Sequence, residues 1–183
     1  MVANEQAARP TSVVVVMGVS GSGKTTIGAL VADAKSVPFV DADDLHPIDN
    51  VKKMAAGTPL DDEDRWPWLD IVGRRLQEAE ESGEGVVMAC SALRRVYRDR
   101  IRATAPSTIF LHLNGSLEVL TARIEGRSGH FMPPALLSSQ METLEALTED
   151  ETGYVLDIGQ SVEQMIDEAL PALQSIRDEM PRG

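Results

Sequence analysis

Cysteine is nearly absent from this 183-residue chain. The single one, Cys90, lies in an apolar run, so no internal disulfide can form and a reducing, cytoplasmic setting is expected. No apolar segment approaches the roughly 20 residues that span a bilayer. Residues 1–11 lack the apolar core of a signal peptide and read as a loose tail before one domain, 12–183. Positive charge is scarce: 17 Lys and Arg face 29 Asp and Glu, a net charge of −12. That balance argues against nucleic acid or an anionic membrane as main partner. An anionic ligand must therefore be met by a local basic cluster. Repeats and low-complexity linkers are also missing, and 43% hydrophobic residues suffice for one sizeable core.

Against these absences stands one dense motif. Val13–Met17 is a short, apolar, mostly β-branched run that reads as a buried parallel strand. Gly18-Val19-Ser20-Gly21-Ser22-Gly23-Lys24-Thr25 follows it and matches the phosphate-loop pattern G-x-x-x-x-G-K-[ST] at every fixed position. Helix-compatible residues begin at Thr26, which joins the candidate nucleotide-binding set. Strand, glycine loop and helix together turn backbone N–H groups and a helix's positive end toward a phosphate. Lys24 supplies a point charge for the β- and γ-phosphates, and the Thr25 hydroxyl suits a Mg²⁺ ligand.

Further apolar runs predict strands at 38–41, 85–90, 108–113 and 154–158. Helices are expected near 24–35, 43–56, 63–82, 92–103, 116–125, 134–148 and 161–179, the last with a capping signature, Ser161-x-x-Gln164. Alternating strands and helices predict an α/β fold: a five-stranded parallel sheet with helices on both faces. Ligands of such sheets bind at the carboxyl ends of the strands. The phosphate loop, Asp41-Ala42-Asp43, Cys90-Ser91 and the segment after Ile158 should share that edge.

The loop indicates a nucleoside triphosphate without saying what becomes of the γ-phosphate. No N-K-x-D element suggests a GTPase, and the third strand ends without an acid, unlike a mechanical ATPase. The acid-ended strand is the second, at Asp41. Alternation along an extended segment sends Asp41 and Asp43 to one side, one for Mg²⁺ and one to accept a hydroxyl proton. A helix N-cap is the plainer use of such an Asp. His46 follows as a candidate substrate contact. Arg65, among acids and beside both tryptophans, reads either as a paired structural arginine or as an anion-binding one. Five arginines fall in residues 94–102, with Arg94 and Arg98 at helical i, i+4 spacing. The glycine- and proline-broken stretch around 124–134, with Arg123 and Arg127, has the make-up of a short mobile cover over a phosphoryl-transfer site.

Several of these stretches together resemble the gluconate kinase family. They are Gly18–Thr25, Asp41–His46, Asn50 through Leu69, Cys90–Asp99, Gly129–Met132 and Leu136–Gln140. The resemblance covers about residues 13–170. It implies a nucleoside-monophosphate-kinase-like fold with a short lid, and ATP- and Mg²⁺-dependent phosphorylation of D-gluconate at its 6-hydroxyl. By that kinship Asp43 contacts the acceptor hydroxyl and Asp41 serves the metal. Arg123 stacks on adenine, Arg127 reaches the phosphates, and the protein pairs as a homodimer. Arg65 and Arg94 can take the substrate carboxylate, Asp43 and His46 its hydroxyls, and the residues leave open which arginine does so. Two other readings stay open: a kinase of the same fold for another hydroxy acid such as shikimate, and a non-catalytic nucleotide-binding regulator.

Overall fold

The computed structural model describes residues 12–126 and 134–181. The chain runs β1 (Val13–Met17), α1 (Lys24–Lys35), β2 (Phe39–Asp41), a 3₁₀ turn (Ala42–Leu45), α2 (Ile48–Ala55) and α3 (Asp62–Glu81). It continues through β3 (Val86–Ala89), α4 (Arg95–Thr104), β4 (Ile109–Asn114), α5 (Leu117–Glu125), α6 (Pro134–Thr143), β5 (Gly153–Asp157) and α7 (Val162–Glu179). The five strands form one parallel sheet in the order β2-β3-β1-β4-β5. β1 is central, and all five of its residues are buried. Val14 and Val16 face a core built with α1 and α7. Val13, Val15 and Met17 face a second core built with α3 and α4. Burial on both faces is why this run shows no polar alternation.

The expected sheet is present, but three helix boundaries differ. The helix expected over 43–56 is split into the 3₁₀ turn and α2, because His46-Pro47 leaves the helical region and Pro47 offers no N–H. The expected 92–103 helix begins only at Arg95, since Ala92 takes a left-handed backbone, φ 43°. Arg94 and Arg98 consequently do not share a helix face: Arg94 is the N-cap residue, and Arg98 points into the core. α6 stops at Thr143, short of the expected 148. The predicted cap forms as a full capping box, Ser161 with Gln164, and a second one closes the start of α3, Asp61 with Asp64. The tail 1–11 and most of the expected cover around 124–134 lie outside the described residues.

One buried polar side chain in β4 carries a pH consequence. His112 is 2% exposed, and neither ring nitrogen has a hydrogen-bond partner. Burial, with the nearby Arg98 charge, pushes its pKa down from 6.5 to about 4. The folded state thus binds fewer protons than the unfolded chain once pH falls below 6.5. The stability owed to neutral His112 is full above that pH and lost toward pH 4, by about 3 kcal/mol at most. Urea unfolding midpoints measured across this window should fall accordingly, and a His112→Leu protein should show a flatter profile.

Candidate functional site

The phosphate loop leaves β1 through a gap that admits no side chain. Gly18 has φ 147°, and a Cβ there would lie 2.9 Å from the Leu113 carbonyl oxygen and 2.8 Å from Ser22 Oγ. Its N–H donates to the Ser91 carbonyl at 3.3 Å, tying the loop to the end of β3. Gly21, φ 79°, lies under Ile124 of α5, where a Cβ would come within 2.6 Å. Gly23 is the N-cap of α1, and no side chain caps that helix. The first N–H groups of a helix have no intrahelical acceptor, so this end is open to an anion.

A cavity of about 530 Å³ opens here, lined by Ser20, Lys24, Thr25, Asp41, Asp43 and Ser91 among others. Lys24 Nζ donates to the Val19 carbonyl at 3.0 Å. Burial lowers the Lys24 pKa against the opposing pull of Asp43, Cys90 and Asp41. Burial also raises Asp43, and the neighbouring Asp41 carboxylate adds to that effect while His46 and Lys24 counter it. Asp41 and Asp43 reach the cavity by a route other than strand alternation. Asp41 ends β2 and caps the 3₁₀ turn, its Oδ1 accepting the Asp43 N–H at 3.0 Å. The capping role and the place in the cavity coexist. The Cys90 thiol, buried at the cavity wall, is raised to about 12 and is inert at neutral pH.

Beside the acids, His46 stacks on Trp68 with ring centroids 4.3 Å apart. Trp68 Nε1 donates to the Ala42 carbonyl at 2.8 Å, which fixes α3 against the acid turn. The Asn50 amide lies 3.3 Å from His46 Nδ1 and donates to the Asp64 carbonyl at 2.9 Å. As a donor it makes Nδ1 the acceptor and leaves Nε2–H as the free donor of the ring. Burial lowers the His46 pKa, so the neutral ring is favoured.

Arg65 and Arg94 are brought together from α3 and the β3–α4 turn. Arg94 Nη1 donates to Asp62 Oδ2 at 2.7 Å, and Arg65 Nη1 donates to the Tyr97 hydroxyl at 3.3 Å. Both guanidinium groups stand over the Tyr97 ring, at 5.7 Å for Arg65 and 5.5 Å for Arg94. The Tyr97 hydroxyl donates to Asp62. One carboxylate thus serves two cations, which leaves net positive charge in an otherwise acidic protein.

Arg123, on α5, donates to the Ile158 carbonyl, and its Nη1 would lie 3.6 Å from a Cβ at Gly23. It therefore sits where α1, α5 and the end of β5 meet. Thr25 and Thr26 are exposed on the first turn of α1, while Val19 and Ser22 are buried beneath the loop. Arg127 lies outside the described residues. Residue-by-residue reading missed Gln140 of α6. Its Oε1 accepts the Ser20 N–H at 2.7 Å and its Nε2 donates to Ser20 Oγ at 3.1 Å. A polar residue 120 positions from the loop carries no local signal of such contact. Tyr97 and Asp62 were missed as site residues for the same reason.

A phosphate loop beside a paired-acid turn, on a 2-3-1-4-5 parallel sheet, defines a P-loop small-molecule kinase. The family model for shikimate kinase matches residues 20–172. The thermosensitive gluconokinase of Escherichia coli K12 is 44% identical over 164 residues, covering 89% of this chain and 88% of that protein. The crystal structure of a gluconokinase from Sinorhizobium meliloti 1021 superposes with TM-score 0.84 at 45% identity, over 93% of this chain and 95% of that one. An unliganded sugar kinase from Janibacter sp. HTCC2649 gives 0.83 at 48%, over 94% and 100%. The chain belongs to the gluconokinase family.

Gln140 gives a direct test of the loop geometry. Gln140→Leu removes both contacts to Ser20, and at about 1 kcal/mol for each hydrogen bond the affinity for ATP should fall by up to about thirtyfold. Equilibrium titration with ATP reads this directly.

Proposed function

We propose that this protein is an ATP-dependent gluconokinase that transfers the γ-phosphoryl group to the 6-hydroxyl of D-gluconate, giving 6-phospho-D-gluconate and ADP. The observation that carries the reading is the meeting of the phosphate loop and the Asp41–Asp43 turn in one cavity, with the turn that ends in Arg94 opening from its wall. A loop that only bound nucleotide would have no use for a carboxylate of raised pKa beside it. Gly18–Thr26 cradle the phosphates, and Lys24 offsets the negative charge that builds on the leaving-group oxygen as the γ-phosphoryl departs. Asp43 orients the acceptor hydroxyl and takes its proton. His46 Nε2–H donates to a second hydroxyl, and Arg65 with Arg94 receives the carboxylate. Arg123 packs on the adenine side, and Arg127 reaches the phosphates.

Mg²⁺ fits the donor set. Thr25 presents an exposed hydroxyl and Asp41 a carboxylate on the same cavity, and hard oxygen ligands of this kind suit that ion when phosphate oxygens and waters complete its shell. Bound there, it would neutralise developing phosphate charge. Among the described residues no group of three or more His, Cys, Asp or Glu side chains could hold a metal on its own, in keeping with an ion shared with the nucleotide. A homodimer in the cytoplasm completes the proposal; among the described residues no helix is long and apolar enough to cross a membrane.

Three measurements test it. In a coupled ADP-release panel, gluconate should far exceed shikimate and other hydroxy acids; preference for shikimate would favour the broader family description. Lys24→Met should fold normally and lose turnover by about 10²-fold or more, and retained activity would sink the assignment. Asp43→Asn should cost about 10²- to 10⁴-fold in kcat. Because Asp43 must be ionised to act as base and its pKa is raised, the wild-type rate should fall on the acid side at a pH above the ordinary carboxylate value. That limb should vanish from the residual activity of the Asn variant.

A further inference from the structure

We propose that Arg98, locked to Glu151, is a positioning residue for the acceptor side of the site. The inference rests on the gluconokinase reading. Arg98 is 0% exposed, although it lies on a helix whose other arginines reach solvent. Its Nε donates to Glu151 Oε1 at 2.6 Å and its Nη2 to Oε2 at 3.0 Å, a two-point pairing. Glu151 is equally buried, its side chain 1% exposed. A buried ion pair is weak evidence for stability by itself, since both charges have left water. What this pair holds is more informative.

The same guanidinium donates Nη1 to the carbonyls of Ala92 at 3.0 Å and Leu93 at 3.3 Å. These residues form the turn between Ser91 and Arg94. Ala92 sits at φ 43°, a conformation that a residue with a side chain adopts only when its surroundings impose it. Ser91 lines the cavity and its carbonyl accepts the Gly18 N–H. Arg94 joins the two-arginine cluster on Tyr97. The turn thus joins the phosphate site at one end to the carboxylate-binding arginines at the other, and Arg98 holds its middle. Glu151 fixes Arg98 from the opposite side, where its Oε2 also accepts the Thr148 N–H at 3.1 Å. Nearby, the Glu145 N–H donates to the Leu93 carbonyl at 2.7 Å. Displacing the guanidinium would let Ala92 relax and swing Arg94 away from the substrate, while the phosphate loop, tied to the turn only at its Ser91 end, keeps its support from β1 and α1.

The test is a split between two Michaelis constants. Glu151→Gln keeps the shape and removes the charge, Glu151→Asp shortens the reach, and Arg98→Lys keeps the charge without the two-point fork. In each folded variant the KM for gluconate should rise about tenfold or more, while the KM for ATP stays within about twofold. Arg100→Gln, on the same helix as Arg98, breaks an exposed pair with Asp70 of α3 and should leave both at wild-type values. If the pair serves stability alone, melting temperatures drop and the ratio of the two constants does not move, which overturns the proposal. A common rise of both constants also overturns it. Should Arg98→Lys fail to fold, the two Glu151 variants carry the test. Absence of gluconate turnover in the wild type would instead overturn the activity reading.

Discussion

The exit of the chain from β1 sets the position of everything chemical in this protein. β1 is the middle strand, flanked by β3 and β4, so the loop after it must pass between Ser91 on one side and Leu113 on the other. Only glycine fits at position 18. Once the loop is forced through that gap, Lys24 and the open end of α1 face the carboxyl edge, where β2 delivers its acids and β3 its turn. The parallel sheet contributes rigidity, and the register of three strand ends places one loop and two turns in a single cavity.

The electrostatics of the edge run against those of the molecule. With a net charge of −12 the protein repels anions at long range, yet both expected ligands are anionic. The structure meets this locally. Lys24 and the uncapped end of α1 face the cavity, and Arg65 and Arg94 share the one carboxylate of Asp62. Three of the four arginines of α4 are committed to carboxylates elsewhere: Arg95 to Asp99 and Asp150, Arg98 to Glu151 and Arg100 to Asp70, while Arg102 donates to the Thr152 hydroxyl. Counting positive residues in that run would therefore overstate what is available to a ligand.

Much of the architecture was legible because β1 and the phosphate loop are dictated by short-range rules: β-branched burial, and glycine where the backbone crowds. The capping box at Ser161 was legible for the same reason. Reading failed where long-range contacts decide. Residues 92–94 have helical composition, but the Ala92 and Leu93 carbonyls are taken by the Arg98 side chain and Ala92 is left-handed, so α4 starts late. Arg98 had the spacing of a surface arginine and is drawn inward by a glutamate 53 positions away. Gln140 belonged to a recognisable family motif, yet only the packing of α6 on the loop shows what it touches.

The stacking of His46 on Trp68 has a practical side. One face of the indole lies against the His46 ring, the proposed acceptor contact, and its N–H is tied to the turn that carries Asp43. The chain has only two tryptophans, so this indole is one of only two that contribute to its intrinsic fluorescence. The fold thereby sets an optical reporter against the proposed acceptor contact His46, readable without any label.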